Sequence, residues 1–382
     1  MGTFTHLEHR FQSRIDLLFA NGWQPADIAH LVRRNGTQRS TRLVLGYVSQ
    51  LSRRDDAPNR APQEWLAQLQ ELGVYQPATG GRPASIAGGH GEIIDRWVRA
   101  EQLDHDDARI IVIETLAVLE KAPRLSELIV PPARWGNSNK GQVRRPTPNA
   151  EVDGKALKLI RALLAKAEGT NFEAEAEAFT AKAQELMTRH SIDMAMLAAQ
   201  AAGGSAQYGI ESRRVHIDNP YADEKATFLA AIAAVNGAKC VWHPAAGFST
   251  LMGFAVDLQL TDVLFTSLLV QATHSSAAAT AHDKQLRTPS FRRAFLVSFA
   301  DRIAERLEAA SRHVATEAEH DYGSAMLPVL AQRDAAVEQA YAEAFPNAVT
   351  MKAKSYNAHG WHAGRAAADR ADIGAGAALE RG

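Results

Sequence analysis

The sequence predicts a predominantly helical α+β protein. It should comprise an N-terminal helical, helix-turn-helix-like domain, a central helical hairpin, and a C-terminal small sheet covered by long helices. Three observations predict this. Apolar residues recur at spacings of three and four along most of the chain. Alternating, strand-like patterning appears at only a few short places, most of them between residues 212 and 254. A stretch rich in proline and glycine, 130–151, has no periodicity and divides the chain. The 382 residues suffice for two or three cores, and the alanine-rich composition leans helical.

Residues 4–54 read as three short helices. Phe11, Ile15, Leu18 and Phe19 line the first, which stops at Asn21-Gly22. Pro25 opens the second, where its missing amide is harmless, and Ile28, Leu31 and Val32 form its buried edge. Asn35-Gly36 makes a turn, and Leu43, Tyr47 and Leu51 mark the third helix. Residues 24–54 thus have the outline of a helix-turn-helix within a helical domain spanning 1–129. Further helices are expected around Trp65 to Leu72, through Ile94, Trp97 and Val98, and from Ile110 to Leu119. The glycine- and proline-rich run 76–91 reads as a loop, and 130–151 reads as an interdomain linker.

The most regular stretch lies between Val152 and Asp193. Leu157, Ile160 and Leu164 form an apolar stripe, opposed by Lys155, Lys158, Arg161 and Lys166. Gly169 stops that helix, and Thr170 with Glu173 has the spacing of a capping box. The second helix is expected to bury Phe172, Ala176, Phe179, Ala183, Leu186 and Met187. A turn this short makes 152–198 an antiparallel helical hairpin. The run Leu163-Leu164-Ala165-Lys166-Ala167, the Glu-Ala repeats from Glu173, and Ala183-Gln184-Glu185-Leu186-Met187 leading to His190 and Asp193 resemble the helical hairpin of the domain of unknown function 2786 family, found in actinobacteria and phages. The region downstream through Arg370 resembles the companion domain that follows this hairpin. The resemblance implies a fold and marks Lys166, Glu173, Glu185, His190 and Asp193 as motif residues; it implies no catalytic residue.

Beyond the hairpin, 196–209 reads as a loop, and residues 208–373 as an α+β domain. Ser212 to Ile217, Lys239 to His243 and Phe248 to Phe254 are strand-like, with a further short strand at Thr350 to Ser355. Helices are expected at Glu224 to Val235, Leu258 to Ala279, Phe291 to Glu319 and Gly360 to Ala371. His190 and Asp193 would end the hairpin, where a histidine can cap carbonyls.

Charge directs the functional reading. The formal net charge of −1 excludes a globally basic nucleic-acid binder, but not a local patch. Residues 28–54 contain Arg33, Arg34, Arg39, Arg42, Arg53 and Arg54 and no acidic residue. With Gln38, these are the candidate DNA-binding residues; Gln38, Arg39 and Arg42 would lie at the start of a recognition helix. The expectation is a nucleic-acid-associated accessory or regulatory protein. Two other classes compete with it: a metal-dependent hydrolase-like enzyme using C-terminal histidines, and a non-catalytic module that binds a protein partner or itself. His359 with His362, and His313 with His320 around Glu317, have spacings a metal could use, but no HExxH pattern occurs. No cofactor fingerprint emerges. A single cysteine, Cys240, excludes an internal disulfide and suits a reducing interior, so a cytoplasmic location is expected. No membrane span is expected, since no apolar run nears about 20 residues.

Overall fold

The computed structural model describes residues 4–79, 84–86, 92–136, 150–169, 173–201, 209–281, 286–349 and 358–370. The chain divides into two compact units. One comprises Met1–Arg145 and His243–Phe248; the other comprises Pro146–Trp242 and Ser249–Gly382.

The first unit is helical. Its helices are α1 (Thr5–Ala20), α2 (Pro25–Asn35), α3 (Gln38–Arg54), α4 (Ala57–Arg60) and α5 (Gln63–Glu71). A two-residue antiparallel ladder follows, pairing β1 (Tyr75–Gln76) with β2 (Ser85–Ile86), then α6 (Ile93–Glu101) and α7 (His105–Glu120). The residues expected to face inward do so: Phe11, Ile15, Leu18, Ile28, Val32, Leu43, Tyr47 and Leu51 are buried together. Phe11 stacks on Tyr47 with ring centres 4.3 Å apart, and Trp65 packs edge-on against Trp135 at 5.4 Å. Trp135 is therefore part of this core rather than of a free tether, although it falls inside the stretch read as a linker; residues 137–149 lie outside the described set.

Local chemistry sets the boundaries. Pro25 occupies the first turn of α2, and Asp27 accepts a hydrogen bond from the Gln24 amide at 2.9 Å. Thr37 caps α3 by accepting from the Ser40 amide at 3.1 Å. Gly22 has a φ of +84°, and a Cβ there would stand 2.6 Å from the Leu125 carbonyl oxygen, so only glycine fits. The segment His243–Phe248 completes the unit from far downstream. Phe248 is buried against Trp23 at 6.0 Å, and the Gly247 carbonyl lies 2.9 Å from His30 Nε2.

The second unit is α+β. It begins with the hairpin α8 (Ala150–Gly169) and α9 (Glu173–Ala201), then β3 (Ile210–His216), α10 (Ala222–Val235), β4 (Lys239–His243) and β5 (Phe248–Phe254). The long helices α11 (Ala255–Ala279) and α12 (Pro289–Tyr322) follow, then α13 (Met326–Ala344) and α14 (Ala358–Arg370). The sheet has the order β3-β5-β4, with β5 in the middle. Ile160, Leu164, Ala183 and Met187 of the hairpin share one core with Phe228, Leu251, Phe265, Phe295 and Phe299. α11 is long and apolar enough to cross a membrane by composition, and half of that stretch is buried in the structure.

Three expectations change. α9 continues through Met196, Leu197 and Ala198 to Ala201, where a loop was expected, because alanine, leucine and methionine are strong helix formers. His190 and Asp193 therefore sit inside a helix, and neither ends one. α13 was not anticipated at all. The Thr170 cap, the Phe172 contact and the strand expected at Thr350 to Ser355 lie outside the described residues.

Candidate functional site

Three of the six arginines, Arg39, Arg42 and Arg54, pair with acidic residues in the fold. Arg42 Nη2 lies 2.8 Å from Glu101 Oε2, its Nε contacts Oε1, and Arg39 Nε stands 3.6 Å from the same carboxylate. The Arg42 hydrogen bond holds the Glu101 carboxyl below its ordinary range. Arg54 bridges Asp16 and Asp55 at 2.7–2.9 Å, which commits it to the unit's own surface. Arg53 donates to Ser49 Oγ at 3.3 Å, and burial with Arg96 nearby pushes its pKa down. Arg33 lies 3.1 Å from His30 Nδ1, and Arg34 packs beside Gly247. Gln38, Arg39 and Arg42 remain together on the outside of the first turns of α3, with the arginine side chains 49% and 51% exposed. The structure thus gathers three of the seven candidates and ties Arg53 and Arg54 into side-chain contacts within the unit.

The motif residues of the hairpin have separate structural roles. Lys166 Nζ lies over the Phe179 ring at 5.4 Å, and Glu185 pairs with Lys182 at 2.8 Å. Glu173 opens α9, and its side chain is outside the described set. Asp193 accepts from Arg189 at 3.0 Å and from the Tyr322 hydroxyl at 2.7 Å, which pins α9 to the end of α12. For Lys166, Glu185 and Asp193 these contacts give each a structural role.

The same turns of α9 form one wall of a cavity of about 280 Å³. Met187, Ile192, Val235, Leu260 and Leu330 make its apolar lining. On its floor Arg333 of α13 pairs with Asp257 of α11 at 2.8 Å, with side chains only 9% and 6% exposed. Arg333 also donates to the Ser191 carbonyl at 2.9 Å, and its guanidinium lies 4.0 Å from the centre of the Phe254 ring. Burial holds the Asp257 carboxyl above the usual carboxylate range, against the pull of Arg333. Removing either partner would strand a buried charge. A second polar group stands beside it, where the fully buried Gln184 donates to Thr188 Oγ1 and Ser311 Oγ at 3.1 Å each.

Sequence reasoning passed over Arg333 and Asp257, yet a signal was there. Arg333 occupies the apolar stripe of its own helix, between Met326, Leu330 and Val337, at spacings of four, three and four. A charge at such a position must find a buried partner.

The C-terminal histidines do not converge. His359 and His362 are exposed on α14, and His313 lies 3.5 Å from Glu317 on the open face of α12. Among the described residues no group of three or more His, Cys, Asp or Glu side chains could hold a metal. Cys240 packs against the second unit's core, where burial pushes its pKa up to about 11, so the thiol is protonated and unreactive at neutral pH.

Comparison with known proteins supports the hairpin. Residues 155–194 match the family described as "Protein of unknown function (DUF2786)". No curated protein and no solved structure matches the chain.

Proposed function

We propose that this chain is a nucleic-acid-associated accessory or regulatory protein that binds DNA through α2, the turn at Asn35-Gly36 and the start of α3, used as a helix-turn-helix. One observation carries the reading. Arg39 and Arg42 stand in the first turns of α3, which contain no acidic residue, and both are half exposed. Cations at a helix N-terminus oppose the helix dipole, so they add nothing to the stability of α3. Glu101 is their counter-charge within the unit, and a phosphate would compete with it, because free backbone amides and the dipole at a helix start favour an anion. Gln38 and the two arginines supply the donors that read base edges and hold phosphates.

The rest of the chain is consistent with this role. Residues 1–145 carry 19 lysines and arginines against 16 acidic residues. The hairpin's likeness to actinobacterial and phage proteins, with a companion domain reaching Arg370, suits a protein of mobile or phage-related DNA. The second unit would serve assembly or partner binding. A lone, protonated cysteine fits a cytoplasmic setting.

Fluorescence anisotropy with a random-sequence duplex at two salt concentrations tests the proposal. Intact protein should bind with salt-sensitive affinity. The Arg39→Ala, Arg42→Ala double variant should bind weakly, with a log–log salt slope shallower by about 2. Absence of binding at low salt, or an unchanged slope in the variant, rejects it.

A further inference from the structure

The cavity beside α9 carries an inference independent of DNA binding. Its volume, about 280 Å³, equals the liquid volume of about nine waters, room for a small organic molecule. Its lining is mostly apolar, so water there gains little, with hydrogen-bonding side chains making up the remainder.

The charges facing this space decide what it would hold. Asp257 and Arg333 neutralise each other at 2.8 Å. Arg312 lies at the rim and turns outward; its guanidinium is 3.5 Å from Glu308 and its side chain is 71% exposed. Asp334 also lines the cavity, and among the described residues nothing donates a hydrogen bond to it. Its nearest cations are Arg333, already committed to Asp257, and Lys239, which is paired with Glu338. The lining therefore holds one carboxylate more than its cations balance. Partial burial pushes Asp334 upward against the pull of Arg333 and Lys239. The Ser311 hydroxyl and the Asn236 side-chain carbonyl, both on the lining, accept from Gln184 and each keep a further lone pair that an ammonium group could use.

We propose that this cavity binds a small amphipathic amine, its ammonium group at Asp334 with Ser311 and Asn236, and its hydrocarbon body against Ile192, Leu260 and Leu330. The ion pair of Asp257 and Arg333 is the rigid floor of the site and would not contact the ammonium. Arg333 holds Ser191 and α13 in place and so keeps the apolar wall at a fixed distance from α9.

Titration calorimetry on the full chain tests this with three probes of one shape: benzylamine, benzyl alcohol and benzoate. Benzylamine should bind saturably, benzyl alcohol at least tenfold more weakly, and benzoate not at all. Asp334→Asn should weaken benzylamine at least tenfold without changing the melting temperature of the ligand-free protein, since Asp334 lies at an exposed position. Leu330→Trp, which fills the space, should abolish binding of both benzylamine and benzyl alcohol. The proposal is overturned if benzylamine shows no saturable binding, if alcohol and amine bind equally, or if Asp334→Asn binds benzylamine as the native protein does.

Discussion

Glu101 shows how one residue can hide a surface from a linear reading. It lies 12% exposed between Arg39 and Arg42, nearly sixty residues away in sequence. Sequence reasoning counted the arginines correctly and had no means of finding their partner, because helix pairing between α3 and α6 is a tertiary fact. The arginines are half exposed, so the ion pair contributes little to stability. Its larger effect is on the surface's charge. Glu101→Gln should release both arginines, and duplex binding should then strengthen several-fold with a steeper salt dependence, read in the same anisotropy assay. Unchanged affinity would show that Arg39 and Arg42 do not meet the phosphates. Arg333 teaches the complementary lesson. Its place in an apolar stripe announced a buried partner, but nothing in the chain named Asp257.

Most elements were legible because their periodicity is strong. β4 and β5 have the bounds read from alternation, and α1 to α3 follow their apolar spacing closely. Misreadings fell where propensity and punctuation disagree. Alanine carries α9 into the stretch expected to be a loop, as far as Ala201, and the stripe of α13 is short and broken by the charge of Arg333. The contact between α12 and α14 depends on the absence of side chains. A Cβ on Gly364 would lie 2.0 Å from Ser298 Oγ and 2.3 Å from the Phe295 carbonyl oxygen. Gly360, one turn earlier, meets the Phe291 carbonyl in the same way at 2.4 Å. Gly364→Ala should therefore destabilise the second unit by about 1–3 kcal/mol, since an overpacked interface must open. Gly154 of α8 has nothing within 4 Å of its would-be Cβ. Gly154→Ala should be stabilising by about 0.5–1 kcal/mol, the helix-propensity difference. Thermal melts of the two variants moving in the same direction would refute this account.

The division of the chain is the feature that sequence reasoning resolved least well. The contiguous part of the first unit runs to Arg145, and Trp135, inside the stretch expected to be a linker, belongs to its core. What could not be read is that the first unit borrows His243–Phe248 from beyond that boundary. Phe248 looks like the first residue of a strand, and it is one; its aromatic partner, Trp23, lies on another stretch altogether. A fragment ending at residue 145 should thus lack a buried phenylalanine, worth about 1.5–3 kcal/mol. Its α1–α3 amides should exchange hydrogen markedly faster than in the intact chain. Equal protection in the two would show that the borrowed segment adds nothing.

The same loan has a consequence for synthesis. A ribosome making this protein releases the N-terminal helices first, and about a hundred further residues must follow before Phe248 exists. At about 5–20 residues per second, that leaves the nascent first unit roughly 5–20 seconds without the ring that packs against Trp23. During that interval the seat of Phe248 is open to chaperones and to neighbouring chains on the same message.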